Sequence, residues 1–449
     1  MLYEAELGDI SIAVVGDAML SRRMQAFREP HFLKLVELIR ETDVSIANLE
    51  FLFHDYEHSW QWTHGTYTRS DPKNLKELKW MGFDGVFTAN NHAFDFSEGG
   101  FLKTLEYLDR MDIPHAGGGI DVDHARAPAY IDSPNGRVAL MSATSTYYDM
   151  SRAGPGRPDF PGRPGVNVLR HQQVHHVPPD IYDALNKAKA GLGYAEQEAN
   201  RAQFGFQGRH EELDPRSAMK FLDRDFRLGD YFKVETSANK EDMEGIGNWI
   251  RGAQQQSDWI VYGLHCHESG ETGEYHGGSK TTPPDFLVEF AHWTLDQGCD
   301  VFAGHGPHFL RGIEIYKGKP IFYSLGNFIF QNETVAWVPP GGYNNFGLGH
   351  ENTPGDFFTA RSDAGNRGFP ADPVFWQSVV AVCHYQSRAL KEVKLYPIDM
   401  GFGRPIPQRG RPVLAEGQVA HDILTWLQTM SRPFGTEIDI EGTVGTIHL

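Results

Sequence analysis

Ser11-Ile12-Ala13-Val14-Val15-Gly16-Asp17 and Val44-Ser45-Ile46-Ala47-Asn48-Leu49-Glu50 are the stretches that decide the fold. Each is an apolar run rich in β-branched residues that breaks off in small or polar ones, and a helical stretch at residues 31–41 lies between them. Strand, helix, strand is the simplest reading. The unit then repeats: residues 71–81 read as a helix with Pro72 in its first turn and 85–89 as a buried strand. Ser97 reads as the N-cap of a helix over 98–110 that stops before Pro114. This alternation predicts βαβ units around a largely parallel sheet.

Strands at 129–132 and 137–143 follow, joined across Ser133-Pro134-Asn135-Gly136. The rhythm then breaks. Residues 147–239 are rich in Gly, Pro, His and charge, with one helical stretch near 179–203, and read as an insertion over one face. Alternation resumes with a helix at 240–256, a strand at 259–264, a helix at 284–297 and a strand at 301–303. A hairpin at 312–316 and 320–323 comes next, then a second insertion at 332–372. A C-terminal extension over 378–449 holds strands at 378–385 and 390–397, a helix at 414–431 and an extended run at 437–440. One domain of two sheets with outer helices, spanning 1–449, absorbs this order.

A formal net charge of −18 over 449 residues sets most of the surface against nucleic acid and anionic lipid, so neither is an expected partner. Only three cysteines occur, Cys266, Cys299 and Cys383, without a CxxC pair, which argues against a disulfide framework or a thiolate zinc site and fits a reducing cytoplasm. The opening MLYEAELGD lacks a basic and an apolar region, and no apolar run approaches the roughly 18 residues that span a bilayer. The expectation is a cytoplasmic protein without a membrane anchor, acting on a small-molecule or peptide substrate, with a homo-oligomer compatible.

The polar residues of interest fall at the ends of predicted strands: Asp17, Glu50, Asn91 and His92, His265, and His305. In open α/β sheets that edge binds ligands. Singly, an Asp there is as readily a turn cap and a His a hydrogen-bonding core residue; five strands ending this way favour a site. Carboxylate, amide and imidazole donors without thiolate suit one or two divalent ions, Mn, Fe or Zn, with positions left for water and substrate. Trp60, Trp62, His64 and Tyr67 form an aromatic and polar stretch that either lines a substrate pocket or packs in the core. His171, His175 and His176 read as a solvated loop, and the basic run 404–411 as surface.

Val15-Gly16-Asp17-Ala18-Met19-Leu20, Ala47-Asn48-Leu49-Glu50 and Ala89-Asn90-Asn91-His92-Ala93-Phe94-Asp95 carry a family resemblance. So does the run Gly304-His305-Gly306-Pro307-His308 through Gly312-Ile313-Glu314 to Tyr323-Ser324-Leu325-Gly326-Asn327-Phe328. In order and spacing these segments resemble the CapA-like family of poly-gamma-glutamate and capsule synthesis, within the calcineurin-like metallophosphoesterase superfamily. The resemblance implies an α/β class fold, a four-layer α/β/β/α sandwich of two mixed sheets. It implies that Asp17, Glu50 and His308 face one metal position, and Glu50, Asn91, His265 and His305 a second. His92 would be the general acid and Asp95 the group that orients it; a helix cap is the other reading of Asp95.

Three departures from the pattern stand out. Met19 occupies the place where many metallophosphoesterases have a ligating His, so a one-metal or metal-free centre is also compatible. His265-Cys266-His267-Glu268 replaces a common His-Trp-Gly, which leaves His267 and Glu268 as added groups for ligation, base chemistry or substrate contact, with His265 and His267 on one side of an extended strand. No export signal of the kind many capsule-related members carry is expected from the opening residues. The leading function is a metal-dependent hydrolase cleaving a phosphate ester or a gamma-glutamyl type amide. A metal-independent peptide epimerase using His92, His265, His267, Glu268 and His305 is the second reading, for which Met19 speaks. A non-catalytic capsule-assembly protein is the third, against which the retained polar set speaks.

Overall fold

The strand Ile10–Met19 runs four residues past its apolar stretch, because backbone pairing carries it through Gly16 and Asp17 to the core residues Ala18 and Met19. In this computed structural model, which describes residues 8–63, 65–205, 214, 216–274 and 278–449, that strand is the centre of a ten-stranded sheet. It pairs in parallel with Val44–Leu49 and Asn327–Phe330, and antiparallel with Gln377–Gln386. Gly85–Phe87 and His115–Ala116 extend the parallel side. On the other side Ala389–Asp399 returns antiparallel across Ser387 and Arg388, both with positive φ (51° and 67°). That two-residue turn permits only an antiparallel return, so the sheet is mixed where the alternation predicted a largely parallel one.

A six-stranded sheet has parallel strands at its centre, Gly136–Thr144, Trp259–His265 and Val301–His305, with Lys319–Phe322 parallel beside them. Ala129–Ser133 and Ile313–Tyr316 close its edges as antiparallel hairpins. Successive side chains of a strand face opposite ways, and the two cores follow from that rule. Ala13, Val15, Ala47, Leu49 and Val86 pack with Phe32, Leu35, Val36 and Ile39 of the helix Pro30–Arg40 and with Phe101, Leu105 and Leu108 of the helix Ser97–Arg110. Ile12, Val14, Ile46 and Phe87 pack instead with Val138, Leu140, Trp259, Val261, Val301 and Ala303 of the six-stranded sheet. Each Val, Leu, Ile or Phe side chain among these, fully buried, contributes about 1.5–3 kcal/mol.

Two compact units are present among the described residues. The first comprises the chain up to Leu169 with Lys240–His267 and Phe290–Leu449; the second comprises Arg170–Asn239 with Glu268–Glu289. The second unit contains a four-stranded sheet in the order Ala218–Phe221, Arg224–Leu228, His171–Val177, Lys233–Ala238. His171, His175 and His176 therefore lie on a strand and not in a loop: it is paired on both sides, a tertiary constraint that local sequence did not show. The helix expected near 179–203 is two helices, Pro179–Gly191 and Tyr194–Gln203, broken where Gly193 takes φ 81°. Ser97 does not cap its helix; Phe96 holds that position, and Ser97 is in the left-handed region at φ 58° with its N–H donated to Phe94 O. No helix of the described residues is long and apolar enough to cross a membrane.

Candidate metal centre

Every strand that brings a polar residue to the centre ends beside another that does the same. Asp17 is in register with Asn48 and Asn327 on its two parallel neighbours, and His265 is in register with His305. Glycine makes the convergence sterically feasible. A Cβ on Gly16 would lie 1.8 Å from the carbonyl oxygen of Gly326, whose oxygen accepts the Asp17 N–H at 2.9 Å. Gly306, at φ 120°, turns the chain after His305 so that its own N–H donates to Asp17 Oδ2 (3.2 Å) and His308 follows at φ 67°.

The resulting cluster lies within the first unit. Asp17, Glu50, His265 and His305 are fully buried, and His267 and His308 nearly so. Asn48 Nδ2 donates to Asp17 Oδ1 at 2.8 Å, and His308 Nδ1 lies 3.3 Å from Asp17 Oδ2. His265 is the hub: its Nδ1 is 3.0 Å from His305 Nδ1, and its Nε2 is 3.0 Å from His267 Nε2 and 2.8 Å from Asn91 Oδ1. Three trios have ligand atoms within 4.8 Å of one another: Asp17, His265 and His305; Glu50, His265 and His267; and Asp17, Glu50 and His308. Compared with the arrangement the resemblance implies, His267 joins Glu50, and Asp17 also reaches the His265–His305 pair. His265 and His267 meet although the strand itself ends at His265.

Both oxygens of Glu50 are buried without a hydrogen-bond partner, as is Nε2 of His305. His265 Nε2 lies 3.7 Å from Glu50, and His92 Nε2 and His308 Nδ1 lie 3.8 Å from it. Burial, then the charges of Asp17 and Asp95, holds the Glu50 carboxyl well above its ordinary range. Burial also pushes Asp17 up, but the hydrogen bonds of His308 and Asn48 and the charges of its His neighbours outweigh this and keep it low. Burial drives His265 well below the usual imidazole range and His305 down to about 3. The result is neutral rings at His265 and His305 and a Glu50 carboxyl whose oxygens have no hydrogen-bond partner. That donor set fits a divalent cation of the Mn, Fe or Zn class, since imidazole nitrogen and carboxylate oxygen are its usual ligands and an ion would satisfy the orphaned atoms.

Beside the cluster, His92 Nδ1 lies 2.7 Å from Asp95 Oδ2, and the His92 N–H donates to Asn90 Oδ1. Asp95 receives Thr63 Oγ1 on one oxygen, and Thr68 N and Oγ1 on the other. Its carboxylate is committed to these groups and does not cap the next helix. Met19 is buried in the apolar core against the helices. Trp60 and Trp62 stack edge-on at 4.6 Å, with Trp60 against Tyr67 and Trp62 67% exposed. The Gln61 N–H donates to Asp95 O, joining this stretch to the His92 pair. His64 lies outside the described residues, and Glu268, next in the chain after His267, belongs to the second unit. Asn48, Thr63, Thr68 and Asn327 had no role in the sequence reading; hydroxyl and amide side chains that bind carboxylates and imidazoles carry no spacing signal of their own.

Residues 11–332 match the family described as Bacterial capsule synthesis protein PGA_cap. An uncharacterized protein of Sinorhizobium fredii is 35% identical over 451 residues, covering 98% of this chain and 93% of that protein. A PGA biosynthesis protein CapA of Bacillus subtilis is 23% identical over 326 residues, 72% of this chain and 63% of its own length. A probable polyglutamine synthesis accessory protein of Mycobacterium tuberculosis is 42% identical over 279 residues, 62% of this chain and 52% of its own.

Proposed function

This chain belongs to the bacterial capsule synthesis protein family, and from that premise we propose that it is a metal-dependent hydrolase of a phosphate ester or a gamma-glutamyl type amide. The observation that carries the reading is Glu50, a fully buried carboxylate with both oxygens unpartnered among Asp17, His265 and His308. Asp17, Glu50 and His308 would hold one cation, and Glu50, Asn91, His265, His267 and His305 a second or the same one in a mononuclear centre. Such an ion supplies Lewis acidity, polarising a phosphoryl or carbonyl oxygen and making water acidic enough to attack near neutral pH.

The chain's own residues supply the proton chemistry. Asp95 accepts from His92 Nδ1, which leaves Nε2 facing the cluster 3.8 Å from Glu50. His92 Nε2 is then placed to deliver a proton to the leaving group, with Asp95 stabilising the charged imidazole while it holds that proton. Trp60 and Trp62 are assigned to substrate contact. Relatives named for PGA biosynthesis and polyglutamine synthesis support a glutamyl or glutaminyl polyamide, or a fragment of one, as substrate. The two large sheets share one core, the helices Pro30–Arg40 and Ser97–Arg110 pack on one of them, and the helix Lys240–Gln254 packs against Trp259–His265 of the other; this supports the four-layer sandwich of the metallophosphoesterases. Three buried free cysteines support a reducing, cytoplasmic setting.

The test is hydrolysis of aryl phosphates and gamma-glutamyl anilides by full-length protein supplied with Mn, Fe or Zn. Metal-stimulated turnover should appear on one class and fall about 100-fold or more in His92→Gln with metal content unchanged. Bound metal with no turnover on either class would overturn the hydrolase reading in favour of a polymer-binding role in the family.

A further inference from the structure

Asp95 is the group through which His92 is aimed, and the hydrogen bonds that aim Asp95 come from a part of the chain with no other part in the centre. Thr68 donates to Asp95 Oδ2 twice, from its backbone N–H at 2.7 Å and its Oγ1 at 3.2 Å, on the same oxygen that accepts His92 Nδ1 at 2.7 Å. Thr63 Oγ1 donates to the other oxygen at 3.3 Å, and the Gln61 N–H to the Asp95 carbonyl at 2.9 Å. Thr68 and Asp95 are fully buried, so water does not substitute for any of these donors. Thr68 is itself fixed to the segment that carries Glu50. Its carbonyl accepts the Leu52 N–H, and the residues after it, Arg69–Ser70, pair in parallel with Leu52–Phe53.

We propose that Thr68 is a positioning residue for proton transfer: its hydroxyl fixes the plane of the Asp95 carboxylate, and the carboxylate in turn fixes the proton of His92 on Nδ1 and the direction of Nε2. A carboxylate held by one donor rotates about its Cβ–Cγ bond, whereas one with two donors on Oδ2 and a third on Oδ1 presents a single lone-pair direction to the imidazole. Trp62, exposed beside Thr63, rides on the same stretch. A substrate that contacts Trp62 therefore bears on the residues that orient His92. The inference rests on the hydrolase reading for its kinetic arm only.

Thr68→Val removes the hydroxyl at nearly constant shape, and Thr68→Ser restores it; thermal denaturation of both controls for folding. Each variant is compared on paired substrates that share an acyl or phosphoryl group, one a p-nitrophenyl ester whose phenolate departs without a proton and one an alkyl ester or anilide whose leaving group needs one. Thr68→Val should lower kcat about 10-fold on the substrate that needs a proton, with little change on its partner, in KM or in metal content, and Thr68→Ser should recover. Independently, in protein labelled with ¹⁵N-histidine, the low-field Nδ1–H signal that His92→Gln abolishes should shift and broaden in Thr68→Val and return in Thr68→Ser. Equal slowing on both leaving groups, or none, with that signal unchanged, would overturn the proposal. If wild-type protein cleaves neither pair, the hydrolase reading falls, and the Nδ1–H signal alone decides whether Thr68 positions His92.

Discussion

His54 shows how closely charge is controlled around the centre without belonging to it. It is fully buried between Phe96 and Tyr56, its Nδ1 accepting the Tyr56 N–H. Burial, helped by the charge of Arg69, pushes it down to about 4 from 6.5. The folded protein therefore prefers the neutral ring, and the associated stability is complete above pH 6.5 and lost as pH falls from 6.5 towards 4. Thermal midpoints measured across that window should fall less steeply in His54→Phe than in wild type; parallel curves would show that His54 takes up its proton alike in the folded and unfolded chain, so that burial does not hold it neutral. At this scale the sequence was informative where chemistry coincides with a strand end. Asp17, Glu50, His265 and His305 stood out there, and the structure brings them together. Thr63 and Thr68 did not stand out, because a hydroxyl that orients a carboxylate has no periodicity and only the fold shows what it faces.

At the level of elements, close backbone approach does as much as hydrophobic pattern. Gly16 lies on the central strand where Asp17 must meet Asn48 and Asn327, and the register shifts between Val14 and Asp17 against Val44–Leu49 and between Asp17 and Ala18 against Asn327–Phe330. Gly16→Ala would force a methyl group to 1.8 Å from Gly326 O, so it should destabilise by about 2 kcal/mol or more in urea denaturation, with the cluster disturbed along with the fold. A fully stable Gly16→Ala would mean that the strands separate freely at that point. The βαβ rhythm was legible because the runs at 12–15, 44–47 and 259–264 are β-branched and buried. The helix Pro30–Arg40 was legible as a helical stretch between two β-branched runs, with Phe32, Leu35, Val36 and Ile39 as its buried stripe. The strand His171–Val177 was not, since His, Gln and Val at those positions give weak alternation and its stability comes from partners on both sides. Val444–His448 was missed for the same reason: it is an outer strand held by Ala389–Asp399 and Asp439–Glu441.

For the molecule as a whole, the centre is a place where a bound cation would favour folding. Burying a carboxylate with no hydrogen-bond partner costs free energy that only a bound cation or a proton offsets. Glu50→Gln should therefore raise the thermal midpoint of chelator-treated protein, yet abolish the further rise that Mn or Zn gives the wild type through linkage. Loss of stability in both conditions would instead mark Glu50 as a purely structural hydrogen-bonding group. The sequence could not show this balance, because the absence of a partner for Glu50 depends on which side chains five separate strands deliver to one point.

The central claim, that these strand ends build a metal centre, is tested most directly by elemental analysis of protein purified without chelator, alongside Glu50→Ala and His305→Ala. The account predicts about one to two equivalents of Mn, Fe or Zn per chain in the wild type, as mononuclear and two-metal sites require, and their loss in both variants. Folded wild-type protein that carries none of these metals and takes none up on titration would contradict it.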